Sequence, residues 1–253
     1  MNKQAIFNHY AQLIDNLIDN SAFFSIYFQA PFLLDEEIHG EDYDELPNNF
    51  SLHDGATRGC IVDENYDYVV KFDINGNGHC DSACEYEEKL FEEARARGLD
   101  AYLCEMAYIG TYTKTFTFYT VDDIDTYIEL PSSYDEEELT ALIADYVDAM
   151  NLTSITISLP LYAYRRAEYY DYSDLDESLI SSAQKIESPL REKQIAVATA
   201  FIQNYGFAAY QSFSSFAREF NINDIHQGNI GEVDGRFVII DWGSYYKGDY
   251  DYE

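Results

Sequence analysis

Apolar positions recur at helical spacing over residues 3–19. There Ile6, Phe7, Tyr10, Leu13, Ile14, Leu17 and Ile18 share one face, which predicts an amphipathic helix. Residues 35–49 are acidic and end in Pro-Asn-Asn, the pattern of a surface loop. Two short strand-like runs follow, at 60–62 and 66–72, divided by the turn residues Asp63-Glu64-Asn65. The spacing then predicts a helix over 82–97 and a strand-rich stretch over 101–120. A further helix is expected at 135–150, capped by Asp135 or Ser133, with glutamates in its first turn where the helix dipole favours them. Residues 155–164 alternate as a strand does. Two helices are expected at 175–187 and 191–219, the second carrying an apolar stripe of Tyr210, Phe213, Phe216, Ala217 and Phe220. Short strands at 231–232 and 237–240 complete the pattern, and no internal repeat is visible. Strands with one helix, then helices, then a small hairpin predict an α+β chain with two lobes.

Composition narrows the class. At 253 residues the chain can bury one large core or two lobes. Its 47% hydrophobic content, with 24 Tyr and 16 Phe, supplies enough apolar surface to offset chain entropy, so global disorder is not expected. The net charge of −32 opposes direct binding to nucleic acid or to anionic membranes and favours basic partners. The first 20 residues alternate apolar with Asn, Asp and Gln, unlike a secretory signal. No stretch reaches the roughly 20 apolar residues that span a bilayer. Four cysteines, Cys60, Cys80, Cys84 and Cys104, are few for this length, so a reduced, cytoplasmic protein is the expectation.

The chemistry concentrates near the C-terminus. Asn223-Asp224-Ile225-His226-Gln227-Gly228-Asn229-Ile230 reads as a polar loop after a helix. Phe237-Val238-Ile239-Ile240-Asp241-Trp242-Gly243 reads as a strand closing on an Asp. Phosphoryl transfer to a hydroxyl needs an Asp to orient the attacking group and accept its proton. It also needs an amide oxygen and a carboxylate to hold magnesium against the phosphates. Asp224, Asn229 and Asp241 supply those groups in that order.

On these residues the chain resembles the protein-kinase-like superfamily. Asp224 and Asn229 meet the D-x-x-x-x-N spacing of its catalytic loop, and Asp241-Trp242-Gly243 stands where kinases have D-F-G. The variant Asp224-Ile225-His226-Gln227-Gly228-Asn229 is most similar to aminoglycoside phosphotransferases and small phage or bacterial kinases. The resemblance implies a glycine loop, a lysine on the third strand and a glutamate on the next helix. Residues 54–59, Asp-Gly-Ala-Thr-Arg-Gly, stand in the loop's place: Gly55, Arg58 and Gly59 would cover the phosphates, although the full G-x-G-x-x-G is absent. Tyr68-Val69-Val70-Lys71-Phe72 resembles the V-A-I-K strand, making Lys71 the phosphate-binding lysine. Glu87 shares a helix face with Leu90, Phe91 and Ala94 and is its expected partner; Glu85 and Glu88 are rivals.

Other signals are weaker. Asp73-Ile74-Asn75-Gly76-Asn77-Gly78 begins like a calcium-binding loop, but its twelfth position is Cys84 rather than Glu, and a strand precedes it. His79, Cys80 and Cys84 lack a second pair of zinc ligands. No G-x-S-x-G supports hydrolase chemistry. His226 reads as a residue that structures its loop.

Together these features predict a helical extension at 1–50, an N-lobe at 51–165 with an insertion at 111–152, and a minimal, mainly helical C-lobe at 166–253. The expected activity is an ATP- and Mg²⁺-dependent phosphotransferase. Asp224, Asn229 and Asp241 carry the chemistry, and Asn229 and Asp241 bind the metal. With only ten residues after Gly243, recognition of the acceptor is expected from 1–50, 111–152 or 175–219. The acceptor is expected to be a protein hydroxyl, or else a cationic small molecule. The alternative is an inactive kinase-like binding protein, or an acidic mimic of DNA that inhibits a DNA-handling protein.

Overall fold

The structure, a computed structural model, describes residues 1–20, 49–54, 58–73, 83–116, 155–176, 178–179, 192–222 and 225–242. Within these the chain is mixed α and β, with antiparallel sheets, as the sequence predicts. It divides into two compact units. One comprises Met1–Gly78 and Tyr108–Ala163, the other His79–Ala107 and Tyr164–Glu253. The units interleave along the chain, whereas the sequence reading divides it into consecutive stretches.

Helix α1, Lys3–Asn20, buries Ile6, Tyr10, Leu13, Ile14 and Leu17, the face its periodicity predicts. Burial of each such side chain is worth about 1.5–3 kcal/mol. Asn2 opens the helix by accepting the Ala5 N–H. The helix is part of the first unit. The Tyr10 hydroxyl donates to the Tyr68 carbonyl, and Asp15 accepts from the Tyr112 hydroxyl at 2.6 Å and from Lys114 at 3.0 Å.

That unit is built on a five-stranded sheet. Its strands are β1 (Phe50–Asp54), β2 (Arg58–Asp63), β3 (Tyr68–Asp73), β4 (Met106–Phe116) and β5 (Ile155–Arg165), in the order β1-β2-β3-β5-β4. β2 begins at Arg58 and β3 at Tyr68, so their turn falls at 64–67. Asp63 shapes it by accepting the Asn65 N–H at 2.9 Å. Thr113–Ser158 and Thr115–Thr156 hydroxyl pairs link β4 and β5, and their opposed order makes the pair antiparallel. β4 continues to Phe116, so 111–116 belongs to the sheet rather than to an insertion. The sequence-predicted helix at 135–150 lies outside the described residues, as does most of 175–187.

In the second unit, α2 (Ala83–Ala96) buries Cys84, Glu87, Leu90, Phe91 and Ala94. A 3₁₀ turn at Asp100–Tyr102 leads to Leu103, which bridges Ile239 in parallel. Beyond β6 (Glu168–Tyr169), the helix expected over 191–219 is two helices, α3 (Glu192–Tyr205) and α4 (Phe207–Glu219). The correction lies in Gly206, with φ 85° and ψ 165°. Only glycine occupies that region readily, and it cannot continue a helix. Phe201 and Phe213 stack across the break with centroids 5.2 Å apart. The chain then forms a 3₁₀ turn at Gln227–Asn229 and the hairpin β7 (Ile230–Val233) and β8 (Arg236–Ile239). Asp234 and Gly235, at φ 52° and 71°, make the two-residue turn that an Asp-Gly pair favours. β6 pairs with β7 to complete a three-stranded sheet.

Candidate functional site

The loop and hairpin at 225–242 belong to the second unit and carry the sequence-predicted residues Asn229 and Asp241. His226 caps the 3₁₀ turn: its Nδ1 accepts the Gly228 N–H at 3.0 Å, and its carbonyl accepts the Asn229 N–H at 2.9 Å. Only a ring unprotonated at Nδ1 can accept there. The histidine therefore structures the loop, the role its sequence position suggests.

Ile230 pairs with Ile239 at the end of the hairpin. The ladder runs one rung further, because the Ile240 N–H donates to the Asn229 carbonyl at 2.9 Å. Asn229 thus stands opposite Ile240, with Asp241 next along. Ile230 and Ile239 are buried while Asn229 and Asp241 are half-buried, so the polar pair emerges where the apolar ladder stops.

Asp241 is braced on both sides. Before it, the Ile239 carbonyl accepts the Cys104 N–H at 2.8 Å. After it, Trp242 is wholly buried against the rings of Phe91 and Tyr164, each 6.0 Å away between centroids. The Tyr164 hydroxyl donates to Oε2 of Glu87, also wholly buried. Glu85, by contrast, is exposed and paired with Lys89 at 2.9 Å, and Glu88 is half-buried. Of the three glutamates weighed from the sequence, Glu87 is the one sealed from solvent. Its contact with Tyr164 carries no local sequence signal, because 77 residues separate the two.

Of the remaining sequence-predicted residues, Arg58, Gly59 and Lys71 belong to the first unit. Lys71 lies in β3 opposite Cys60, and Gly59 lies opposite Phe72. Arg58 and Gly59 open strand β2 rather than sit in a turn, since the ladder to β1 extends to Asp54↔Gly59. Side chains of a strand alternate between faces, and directly paired residues share one. Arg58, Cys60, Lys71 and Asp73 therefore share one face, with Ile61, Val70 and Phe72 buried on the other.

Gly55, Asp224 and Gly243 lie outside the described residues, as does 74–82, the body of the calcium-like loop. Its end residues, Asp73 and Cys84, lie in β3 and α2. Among the described residues no three His, Cys, Asp or Glu side chains gather as a metal site. The pair at hand is instead one amide and one carboxylate, both hard oxygen donors of the kind that suits magnesium. The two cations of the β2–β3 face have the charge that phosphate recognition requires. Comparison of the chain with protein-family models, curated proteins and solved structures returns no match to any of them.

Proposed function

We propose that this chain is an ATP- and magnesium-dependent phosphotransferase of reduced, two-lobed protein-kinase-like architecture, acting on protein hydroxyl groups in the cytoplasm. The observation that carries the reading is the hydrogen bond from the Ile240 N–H to the Asn229 carbonyl. It sets the backbone of Asn229 opposite Ile240, so the two residues that the kinase pattern assigns to the metal stand at the same end of the hairpin. Lys71 on the third strand supports it, since a V-A-I-K match gains weight only in that context. So does the buried glutamate on the next helix.

In this reading Asp224 orients the acceptor hydroxyl and takes its proton, while Lys71, with Gly55, Arg58 and Gly59, holds the phosphates of ATP. Glu87 fixes the lysine's environment. Asn229 and Asp241 hold magnesium, which supplies charge neutralisation at the phosphate oxygens. The net charge of −32 selects a basic protein segment or a cationic small molecule as acceptor.

Full-length protein incubated with Mg-ATP should release ADP or label itself. Lys71→Ala and Asp241→Ala should each lower turnover about 100-fold or more. Unchanged turnover in Asp224→Ala and Asp241→Ala would end the assignment.

The same charge favours a second reading, a kinase-like scaffold without catalysis that occupies the basic groove of a DNA-handling protein. Salt-sensitive capture of such a partner, without a thermal shift from Mg-ATP, distinguishes it.

A further inference from the structure

Strand β4, at 11 residues, ends one side of the five-stranded sheet, and among the described residues no strand pairs with its outer edge. The usual strand has about 5–6 residues. A long edge strand is a template for pairing with another chain, and natural sheets guard it with charge, proline, a bulge or brevity. β4 has no proline. Its one charge, Lys114, turns to Asp15 of α1 at 3.0 Å, and Tyr112 turns to the same carboxylate at 2.6 Å. Alternation slips once, at Gly110, since Ile109 and Tyr112 are both buried while Tyr108 and Thr111 are both exposed. Such an irregularity disturbs pairing locally. From Thr111 on the alternation is regular, with Thr111, Thr113 and Thr115 exposed on one face. The Thr113 and Thr115 hydroxyls bond to those of Ser158 and Thr156 on β5, at 3.1 and 2.9 Å. These five side chains form a strip without charge on a chain of net charge −32.

We propose that β4 is a dimerisation edge: two copies pair antiparallel along Thr111–Thr115, with Thr113 on the two-fold axis and Thr111 opposite the partner's Thr115. A two-fold interface is self-complementary, placing residue i opposite j and j opposite i. This register meets that condition and sets threonine against threonine, a favourable cross-strand pair. Charge selects the occupant. Two copies of net charge −32 repel where their acidic surfaces meet, so the uncharged strip is where they approach at least cost. A basic peptide would be drawn instead by carboxylates beside the edge. The strip offers hydroxyls, and Asp15, on the other face, is already paired with Lys114. Dimerisation through β4 is independent of the phosphotransferase reading.

Sedimentation equilibrium of the full-length protein tests it. A monomer–dimer equilibrium with a Kd of about 1–100 μM is expected, as for a small interface. It should tighten roughly tenfold as NaCl rises from about 0.05 M to about 0.5 M, because salt screens the repulsion between copies. Deuterium exchange at the amides of 111–116 should slow as protein concentration passes through that Kd. Thr113→Lys sets like charges directly opposite across the axis and should weaken association about tenfold or more, with an unchanged circular dichroism spectrum. Thr111→Lys/Thr115→Lys should do the same. Thr111→Lys/Thr115→Glu, which sets opposite charges face to face, should dimerise at least as tightly as the parent. Four outcomes would overturn the proposal: a monomer at about 0.5 M NaCl and about 200 μM protein, above the expected Kd range; association weakened by salt; an undiminished dimer in Thr113→Lys; or equal association of the two double variants. So would an oligolysine peptide that protects 111–116 where raised protein concentration does not, since a basic partner would then occupy the edge.

Discussion

Replacing Tyr164 by Phe removes one hydroxyl and little else. The ring keeps its place against Trp242, and Glu87 loses the donor that reaches its Oε2. Tyr164 is 1% exposed and Glu87 wholly buried, so water cannot readily replace the lost group. Leaving a buried acceptor without its donor costs about 1–3 kcal/mol, and that is the expected loss. For a chain of this length it corresponds to a fall in unfolding temperature of roughly 2–12 °C. Trp242 is the only tryptophan and lies beside the altered residue, so its fluorescence reports urea unfolding of the second unit directly. The contact is isolated by a cycle of Tyr164→Phe, Glu87→Gln and the double variant. A coupling above about 1 kcal/mol is expected, since contacting residues depart from additivity by 0.5–3 kcal/mol. A shift in the single variant below about 0.5 kcal/mol, together with no coupling, would show that Tyr164 does not hold Glu87.

Three further outcomes are expected. Gly110→Ala should destabilise the first unit by about 1–3 kcal/mol: at φ 153° the new Cβ would stand 2.6 Å from Phe7 Cδ2. Adding Phe7→Ala should recover the steric part, as chemical denaturation would read. Gly206→Ala should cost about 1–3 kcal/mol by straining the α3–α4 break, although no atom obstructs the methyl group, and circular dichroism during urea unfolding would measure it. Asp63→Asn should flatten acid stability. Burial pushes this carboxyl up, but the Asn65 N–H and the side chains of His9, Asn49 and Asn65 outweigh it and hold the group below its usual range. Its contribution is therefore present above the unfolded value of 3.8 and is lost as pH falls through the lower folded value. Unfolding midpoints from pH 5 downwards should drop less steeply in the variant than in the parent.

Local chemistry made much of this legible. The stripe of α1, the buried face of α2 at Glu87, Leu90, Phe91 and Ala94, and the Asp-Gly turn of the β7–β8 hairpin all depend on residues within a few positions of one another. The adjacency of Asn229 and Asp241 was readable for the same reason, since a tight hairpin separates them. What escaped was non-local or concealed in a continuous pattern. Gly206 interrupts two helices whose apolar periodicities run together, so its backbone conformation decides the break. The Tyr164–Glu87 contact and the bridge from Leu103 to Ile239 join distant segments, and neither leaves a periodic trace. The placement of β5 between β3 and β4 is likewise a matter of long-range pairing.

That placement bears on synthesis. The inner edge of β3 finds its neighbour only when Ile155–Arg165 arrives, roughly eighty residues later. At about 5–20 residues per second, the ribosome leaves that edge unpaired for on the order of 4–16 s. An unpaired strand edge invites pairing with other chains. Crowded translation of this protein should therefore favour nascent-chain aggregation, and slower growth at lower temperature or an available holdase should raise the yield of folded product.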